Sequence, residues 1–275
     1  SGFVNGLELQ GSETQAIIQK TYISQKYTFT CAPYRTPKDM ASESAVPSKY
    51  LRPYAERSWF GRWWLRFSQQ TVGRIIRLWC QVRIEGEAHI PLKGGVLLAS
   101  NHISMLDALL IPYAVMETRG MQIVWSPAKE ELFRIPVVGR VLLSWGSFPV
   151  RRGRGDLRTM RRIMTLLRDH RMMLFPEGTR SPDGRLQQGQ RTVGKFIYHA
   201  RPVVVPTVVS GTNRILPKGA LLPVFRCPIS VRFGPPLDLQ HYYDQPDSKH
   251  TAAAIVQEVM QAIADLQGAP PASRE

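Results

Sequence analysis

Two side chains in this sequence have the type and the spacing for proton transfer. His102 and Asp107 lie in Asn101-His102-Ile103-Ser104-Met105-Leu106-Asp107, directly after the apolar run Val96–Ser100. Histidine is the side chain best poised to move a proton near neutral pH, and a carboxylate can fix its tautomer and stabilise its charged form. The spacing sets a geometric condition. On an unbroken helix, five residues turn through about 500°, which leaves the two side chains about 140° apart. They meet only if His102 lies in a loop and Asp107 in the first turn of the helix that follows. Ser104 is a suitable N-cap for such a break. A plainer reading uses the same residues: Ser104-Met105-Leu106-Asp107 also fits a capping box, with Asp107 closing the helix end and His102 an ordinary loop histidine.

A second segment offers binding chemistry. Phe175-Pro176-Glu177-Gly178-Thr179-Arg180 follows the apolar run Met172–Phe175, where a ligand crevice is expected at a strand's carboxyl end. Pro176 and Gly178 make a fixed turn, while Glu177, Thr179 and Arg180 present a carboxylate, a hydroxyl and a guanidinium fork able to grip a phosphate. The alternative is a surface turn with a Glu–Arg ion pair of little energetic weight.

The elements that must carry these residues show in the hydrophobic pattern. From about residue 83, strand-like runs (Gln81–Ile84, Val96–Ser100, Gln122–Trp125, Ser147–Val150, Met172–Phe175, Val203–Val209, Ile229–Phe233) alternate with helix-like ones. The helices are expected at Ser104–Met116, Lys129–Phe133, Pro136–Trp145, Asp156–Asp169, Val193–His199 and Thr251–Gln267. This alternation predicts an α/β domain over 83–267, with a mixed, largely parallel sheet flanked by helices. Leu157, Met160, Met164 and Leu167 share one face of the helix at 156–169, so several of its arginines read as surface charge.

Residues 51–82 read as an amphipathic helical segment, with one long helix over 58–82. Trp59, Phe60, Trp63, Trp64, Phe67, Ile75, Ile76 and Trp79 recur near a four-residue step, with Arg62, Arg66, Arg74 and Arg77 between them. An interfacial membrane helix needs such a pairing, with rings at headgroup depth and guanidinium groups on lipid phosphates. Trp59, Trp63, Trp64 and Phe67 are the membrane-associating candidates. A helix packed on its own domain fits the same pattern. Residues 1–50, rich in Ser, Thr, Gln and Pro, read as a flexible or expression-derived arm with Met40 as a candidate start, and 268–275 as a disordered tail.

Composition narrows the partners. The 275 residues carry 36 Lys+Arg against 21 Asp+Glu, a net charge of +15. Residues 1–39 hold four of the basic and three of the acidic side chains, so the surplus belongs to the rest of the chain. Such an excess calls for an anionic partner: nucleic acid, an acidic membrane surface or a phosphorylated substrate. Cys31, Cys80 and Cys227 are far apart with no CxxC, which excludes a Cys-rich zinc site and speaks against a disulfide scaffold. No metal is expected. No run approaches the roughly 18 apolar residues of a spanning helix, and no basic start leads into an apolar block.

Together these segments resemble the glycerolipid acyltransferase family, whose best-known members are the 1-acylglycerol-3-phosphate acyltransferases. Asn101–Asp107 looks like the family's His-x4-Asp block, Gly146-Ser147-Phe148-Pro149-Val150-Arg151-Arg152 like its second, Phe175–Arg180 like its third and Val203-Val204-Val205-Pro206 like its fourth. The stretch Lys129–Gly139 is also similar, and the resemblance spans about residues 83–235. It implies His102 as the general base on an acceptor hydroxyl, with Asp107 orienting and charging the imidazole. It further implies Arg151 on the acceptor's phosphate, Glu177, Gly178, Thr179 and Arg180 in acceptor binding, and Arg152 in support.

The implied reaction moves a fatty acyl group from acyl-CoA or acyl carrier protein to lysophosphatidic acid, giving phosphatidic acid, with no cofactor beyond the donor. Glycerol-3-phosphate or another lysolipid is the alternative acceptor. The implied setting is an anionic membrane surface, peripheral or monotopic on the cytoplasmic face. The sequence agrees with direct transfer: there is no Gly-x-Ser-x-Gly elbow, and no cysteine sits near a block. One departure stands out, because Leu186-Gln187-Gln188-Gly189-Gln190-Arg191 replaces the family's common Phe-Lys-x-Gly. A basic nucleic-acid-binding protein is a remote alternative. Its arginine run at 151–171 lacks the aromatic interleaving of a stacking platform, and no zinc-finger, RNA-recognition or Walker pattern appears.

Overall fold

The computed structural model describes residues 52–150, 157–181, 183–215, 224 and 226–269. Its strands are β1 (Cys80–Glu85), β2 (Val96–Ser100), β3 (Ser126–Lys129), β4 (Ser147–Val150), β5 (Arg171–Leu174), β6 (Val203–Ser210) and β7 (Cys227–Phe233). The helices are α1 (Trp59–Trp79), α2 (Asp107–Arg119), α3 (Pro136–Ser144), α4 (Leu157–Asp169), α5 (Arg191–Ala200), α6 (Thr212–Ile215), α7 (Gln240–Tyr243) and α8 (Lys249–Gly268).

Five strands form a sheet in the order β1-β7-β6-β2-β5. All pairs are parallel except β6 with β7. β3 and β4 pair in parallel beside it, joined to β5 where Trp125 N donates to Arg171 O and Met173 N to Trp125 O, both at 2.8 Å. β2 explains the centre. Its run Val-Leu-Leu-Ala-Ser is buried throughout, and successive strand side chains point to opposite faces, so the sheet is covered on both sides, as parallel sheets are. Helices α4, α5 and α8 pack on one another and on β2, β5 and β6, while α1, α2 and α3 make a second group reaching β1 and β7. The mixed, mostly parallel α/β expectation holds.

The element boundaries depart from the pattern in several places. The long helix ends at Trp79, and Cys80–Val82 belong to β1. The strand expected at Gln122–Trp125 shifts to Ser126–Lys129, with Trp125 alone bridging to Met172. The helix expected at Lys129–Phe133 is a 3-10 turn, Glu130–Arg134. The short α6 and α7 were not foreseen, having too few residues to show a period. α8 runs through Gly268. The expected arm at 1–50 and the tail beyond 269 lie outside the described residues.

α1 turns its rings outward. The side it buries carries Leu65, Ser68, Gln69 and Gly73, one apolar side chain among small and polar ones. An added Cβ at Gly73 would stand 2.6 Å from Tyr113 Cε2 of α2, so only glycine allows this approach. Gln69 Nε2 donates to Glu117 Oε2 (2.9 Å), Arg77 pairs with Glu117 and Tyr113, and Trp145 Nε1 donates to Ser68 Oγ. Outside, Phe60, Trp63 and Phe67 stack in a ladder with centroids 5.8 and 5.3 Å apart. Trp59, Phe60, Trp63 and Phe67 are 73, 61, 48 and 46% exposed. The exposed rings are therefore not the packing face, while the opposite side of α1 does pack on its own domain.

Candidate active site

Three parallel strands, β2, β5 and β6, end at one edge of the sheet, and the residues after each end meet there. Asn101 leaves β2 and locks onto β6: its Nδ2 donates to Val209 O (2.9 Å) and its Oδ1 accepts from Val209 N (2.8 Å). The next residue is His102. α2 begins only at Asp107, so the histidine lies in the loop and the acid in the first turn, the one arrangement in which they can touch. His102 Nδ1 lies 3.0 Å from Asp107 Oδ2.

Asp107 is fully buried and accepts four hydrogen bonds, the number a carboxylate's lone pairs allow. Oδ2 also accepts from Ile103 N (2.8 Å) and Ser104 N (2.7 Å), and Oδ1 accepts from Thr212 Oγ1 (2.6 Å). The capping and the histidine-orienting readings are thus both true of one side chain. Ser104 is not the N-cap expected of it. That position falls to Leu106, without a side-chain cap, while Ser104 Oγ accepts from Leu106 N. Because Asp107 can only accept here, Nδ1 must carry the imidazole proton and Nε2 the basic lone pair. Nε2 has no hydrogen-bond partner among the described residues, and the side chain stays 10% exposed.

The loop after β5 clamps the histidine. Phe175 stacks on the imidazole, centroids 3.8 Å apart and planes 11° from parallel. Glu177 Oε1 accepts from His102 N (2.9 Å), Glu177 Oε2 from Gln187 N (3.0 Å), and Ser181 N donates to His102 O (2.8 Å). Both backbone groups of His102 are therefore held. Burial pushes the Glu177 carboxyl up from the ordinary carboxylate range, against the two amides that favour its charge. With both oxygens engaged and the residue buried, Glu177 braces the loop.

Gly178 has φ +72°, a left-handed turn that favours glycine. It leads into Thr179 and Arg180, both exposed, and the Arg180 guanidinium has no hydrogen bond or ion pair among the described residues. Arg151 and Arg152 lie outside the described residues. Trp59, Trp63, Trp64 and Phe67 belong to α1, Trp64 half-buried. On α4, Arg161 is exposed as expected. Arg162 instead lies 4.5 Å from the Phe148 ring centroid, and burial pulls its guanidinium down to about 10.

Sequence reasoning missed Thr212. A hydroxyl two residues past the end of β6 was the available signal, and only the tertiary fold puts it on Asp107. Gln187 and Gln190 also gain a place. Their loop folds back on the β5 turn, with Gln190 N donating to Pro176 O (2.8 Å) and Gln190 Nε2 to Glu177 O (3.3 Å).

The mixed α/β sheet carries an acid-held imidazole at its carboxyl edge. Residues 81–210 match the Acyltransferase family model. The 1-acyl-sn-glycerol-3-phosphate acyltransferase LPAT1, chloroplastic, of Arabidopsis thaliana is 31% identical over 161 residues, covering 53% of this chain and 43% of its own length. The 1-acyl-sn-glycerol-3-phosphate acyltransferase of Borreliella burgdorferi is 28% identical over 152 residues, covering 53% and 59%. The chain thus spans about half the length of the curated relatives it matches. Its fold is similar to that of the 1-acyl-sn-glycerophosphate (LPA) acyltransferase PlsC from Thermotoga maritima, at a TM-score of 0.56 and 22% identity over 76% of this chain and 82% of that one.

Proposed function

We propose that this protein is a membrane-surface O-acyltransferase that moves a fatty acyl group from acyl-CoA or acyl carrier protein to the free hydroxyl of 1-acylglycerol-3-phosphate, giving phosphatidic acid. The observation that carries the reading is the His102–Asp107 pair, with Nδ1 engaged and Nε2 open at the sheet edge.

His102 Nε2 takes the proton of the acceptor hydroxyl as its oxygen attacks the thioester carbonyl. The carbon–oxygen bond forms and the carbon–sulfur bond breaks. The imidazolium, stabilised by Asp107, returns its proton to the departing thiolate. Because the clamp on His102 is built before substrate arrives, little reorganisation is needed at the moment of reaction. Arg151, with Arg152 in support, binds the acceptor's phosphate, and Arg180 faces the same ligand from the turn of Gly178 and Thr179. The exposed aromatic ladder of α1 supports peripheral or monotopic attachment to a membrane; the cytoplasmic face is part of the proposal. Among the described residues, no helix is long and apolar enough to cross a membrane.

A radiolabelled acyl-transfer panel tests this, crossing 1-acylglycerol-3-phosphate, glycerol-3-phosphate and other lysolipids with both donor types. Highest turnover on 1-acylglycerol-3-phosphate is expected. A better acceptor among the others, or no transfer at all, rejects the assignment. Arg151→Ala should raise the acceptor's KM more than the donor's.

A further inference from the structure

Beside the aromatic ladder lies a cleft of about 400 Å³ between the start of α1 and α3. Its basic wall is Arg52, Arg57 and Arg140, its apolar wall Phe60 and Trp64, and among the described residues no acidic side chain lines it. Arg57 is buried and structural: its guanidinium donates to Arg52 O and Ser144 O, holding the two elements together. Arg52 and Arg140 are exposed, and neither makes an ion pair among the described residues. The exposed guanidinium groups of Arg52 and Arg140 share one cleft, and an anion seated between them would meet both charges.

The apolar surroundings say which anion. On one side are Phe60 and the exposed rings of Trp59 and Trp63. On the other, α3 brings Val137 one turn before Arg140, with Ile135 and Val138 beside it, and these three are 50 to 70% and 37% exposed in the order Ile135, Val137, Val138. A soluble anion has no use for such a rim. An amphiphile does: its phosphate meets the arginines while its chains lie along the rings and valines.

We propose that this cleft is a headgroup site for an anionic phospholipid of the bilayer, and that α3 joins α1 in forming the membrane-facing surface. The proposal rests on the membrane reading of α1 and goes beyond it by naming a specific phosphate site. No step of acyl transfer passes through the cleft. Its role is to fix where on an anionic membrane the domain sits.

The experiment is vesicle co-sedimentation with phosphatidylcholine alone and with a fraction of phosphatidic acid. Four proteins are compared: the wild type, Arg52→Gln/Arg140→Gln, Arg66→Gln/Arg74→Gln, and Trp63→Glu/Phe67→Glu. The second charge pair removes the same charge from α1 outside the cleft, and so measures diffuse attraction. The cleft pair should lose about tenfold more affinity for phosphatidic-acid vesicles than that control, with binding to phosphatidylcholine alone unchanged. Equal losses from the two pairs overturn the site while leaving the membrane reading intact. Absence of wild-type binding to either vesicle overturns both. Inorganic phosphate is added without vesicles as a further arm. A change in Trp64 emission that depends on Arg52 and Arg140 would assign the cleft to a free anion and overturn the lipid source.

Discussion

An imidazole is useful as a base only if its proton inventory is settled beforehand, and here Asp107 settles it. The buried carboxylate makes three bonds besides the one to His102, so His102→Ala leaves it satisfied. Acyl transfer should vanish in that variant while Tm stays nearly unchanged; an active His102→Ala enzyme would end the base assignment. Thr212 supplies one of the three from outside the loop. Thr212→Val leaves Asp107 Oδ1 buried without its partner, a cost of about 1–3 kcal/mol, and should lower kcat about tenfold through the looser imidazole. Thr212→Ser keeps the hydroxyl and should restore most of both. Equal Tm and kcat in the valine and serine variants would dismiss Thr212 as a positioning residue. At Glu177 the expectation is a pH slope. Its carboxyl titrates above its unfolded range, so the native state holds that proton more tightly. The stability this gives is full below the ordinary carboxylate pKa of about 4.3 and is lost as pH rises through the raised native value. Glu177→Gln removes the slope. Urea midpoints taken between about pH 4 and pH 7 should therefore fall for the wild type relative to the variant.

At the scale of elements, α1 is the test of what a hydrophobic pattern can tell. Its period was plain in the sequence, yet which side packs was not, because the packing side is written in Leu65, Ser68, Gln69 and Gly73 rather than in Trp and Phe. Gly73→Ala should separate α1 from α2 and cost about 1–3 kcal/mol by overpacking, measured by denaturant unfolding; a neutral effect would mean that Tyr113 swings aside freely. The strands were legible where they are long or central, as in β2, whose limits match the apolar run. They blurred at β3, where Ser126-Pro127-Ala128-Lys129 has no alternation to read. The site divides in the same way. For His102 and Asp107, turn geometry set the condition for contact, loop then first helical turn, and the fold meets it. The roles of Glu177 and Thr212 depend on partners 75 and 105 residues away, and no local pattern encodes those.

For the whole molecule, the proposed anionic membrane is one partner that both the excess of positive charge and the outward rings would suit. Trp63→Glu/Phe67→Glu changes two exposed side chains, so folding stability should move by no more than about 0.5 kcal/mol while flotation with anionic liposomes is lost. A large fall in stability would return these rings to the core. Cys80 is at once the residue that caps α1 and the first residue of β1; its amide donates to Ile76 O, and its strand runs in register with β7 from Cys227 onward. No hinge separates helix from sheet. On the proposed membrane reading, a landing gear welded to the chassis this way would give the domain a single attitude at touchdown: the tilt of the sheet, and with it the direction in which His102 opens, would be set by the same rod that makes contact.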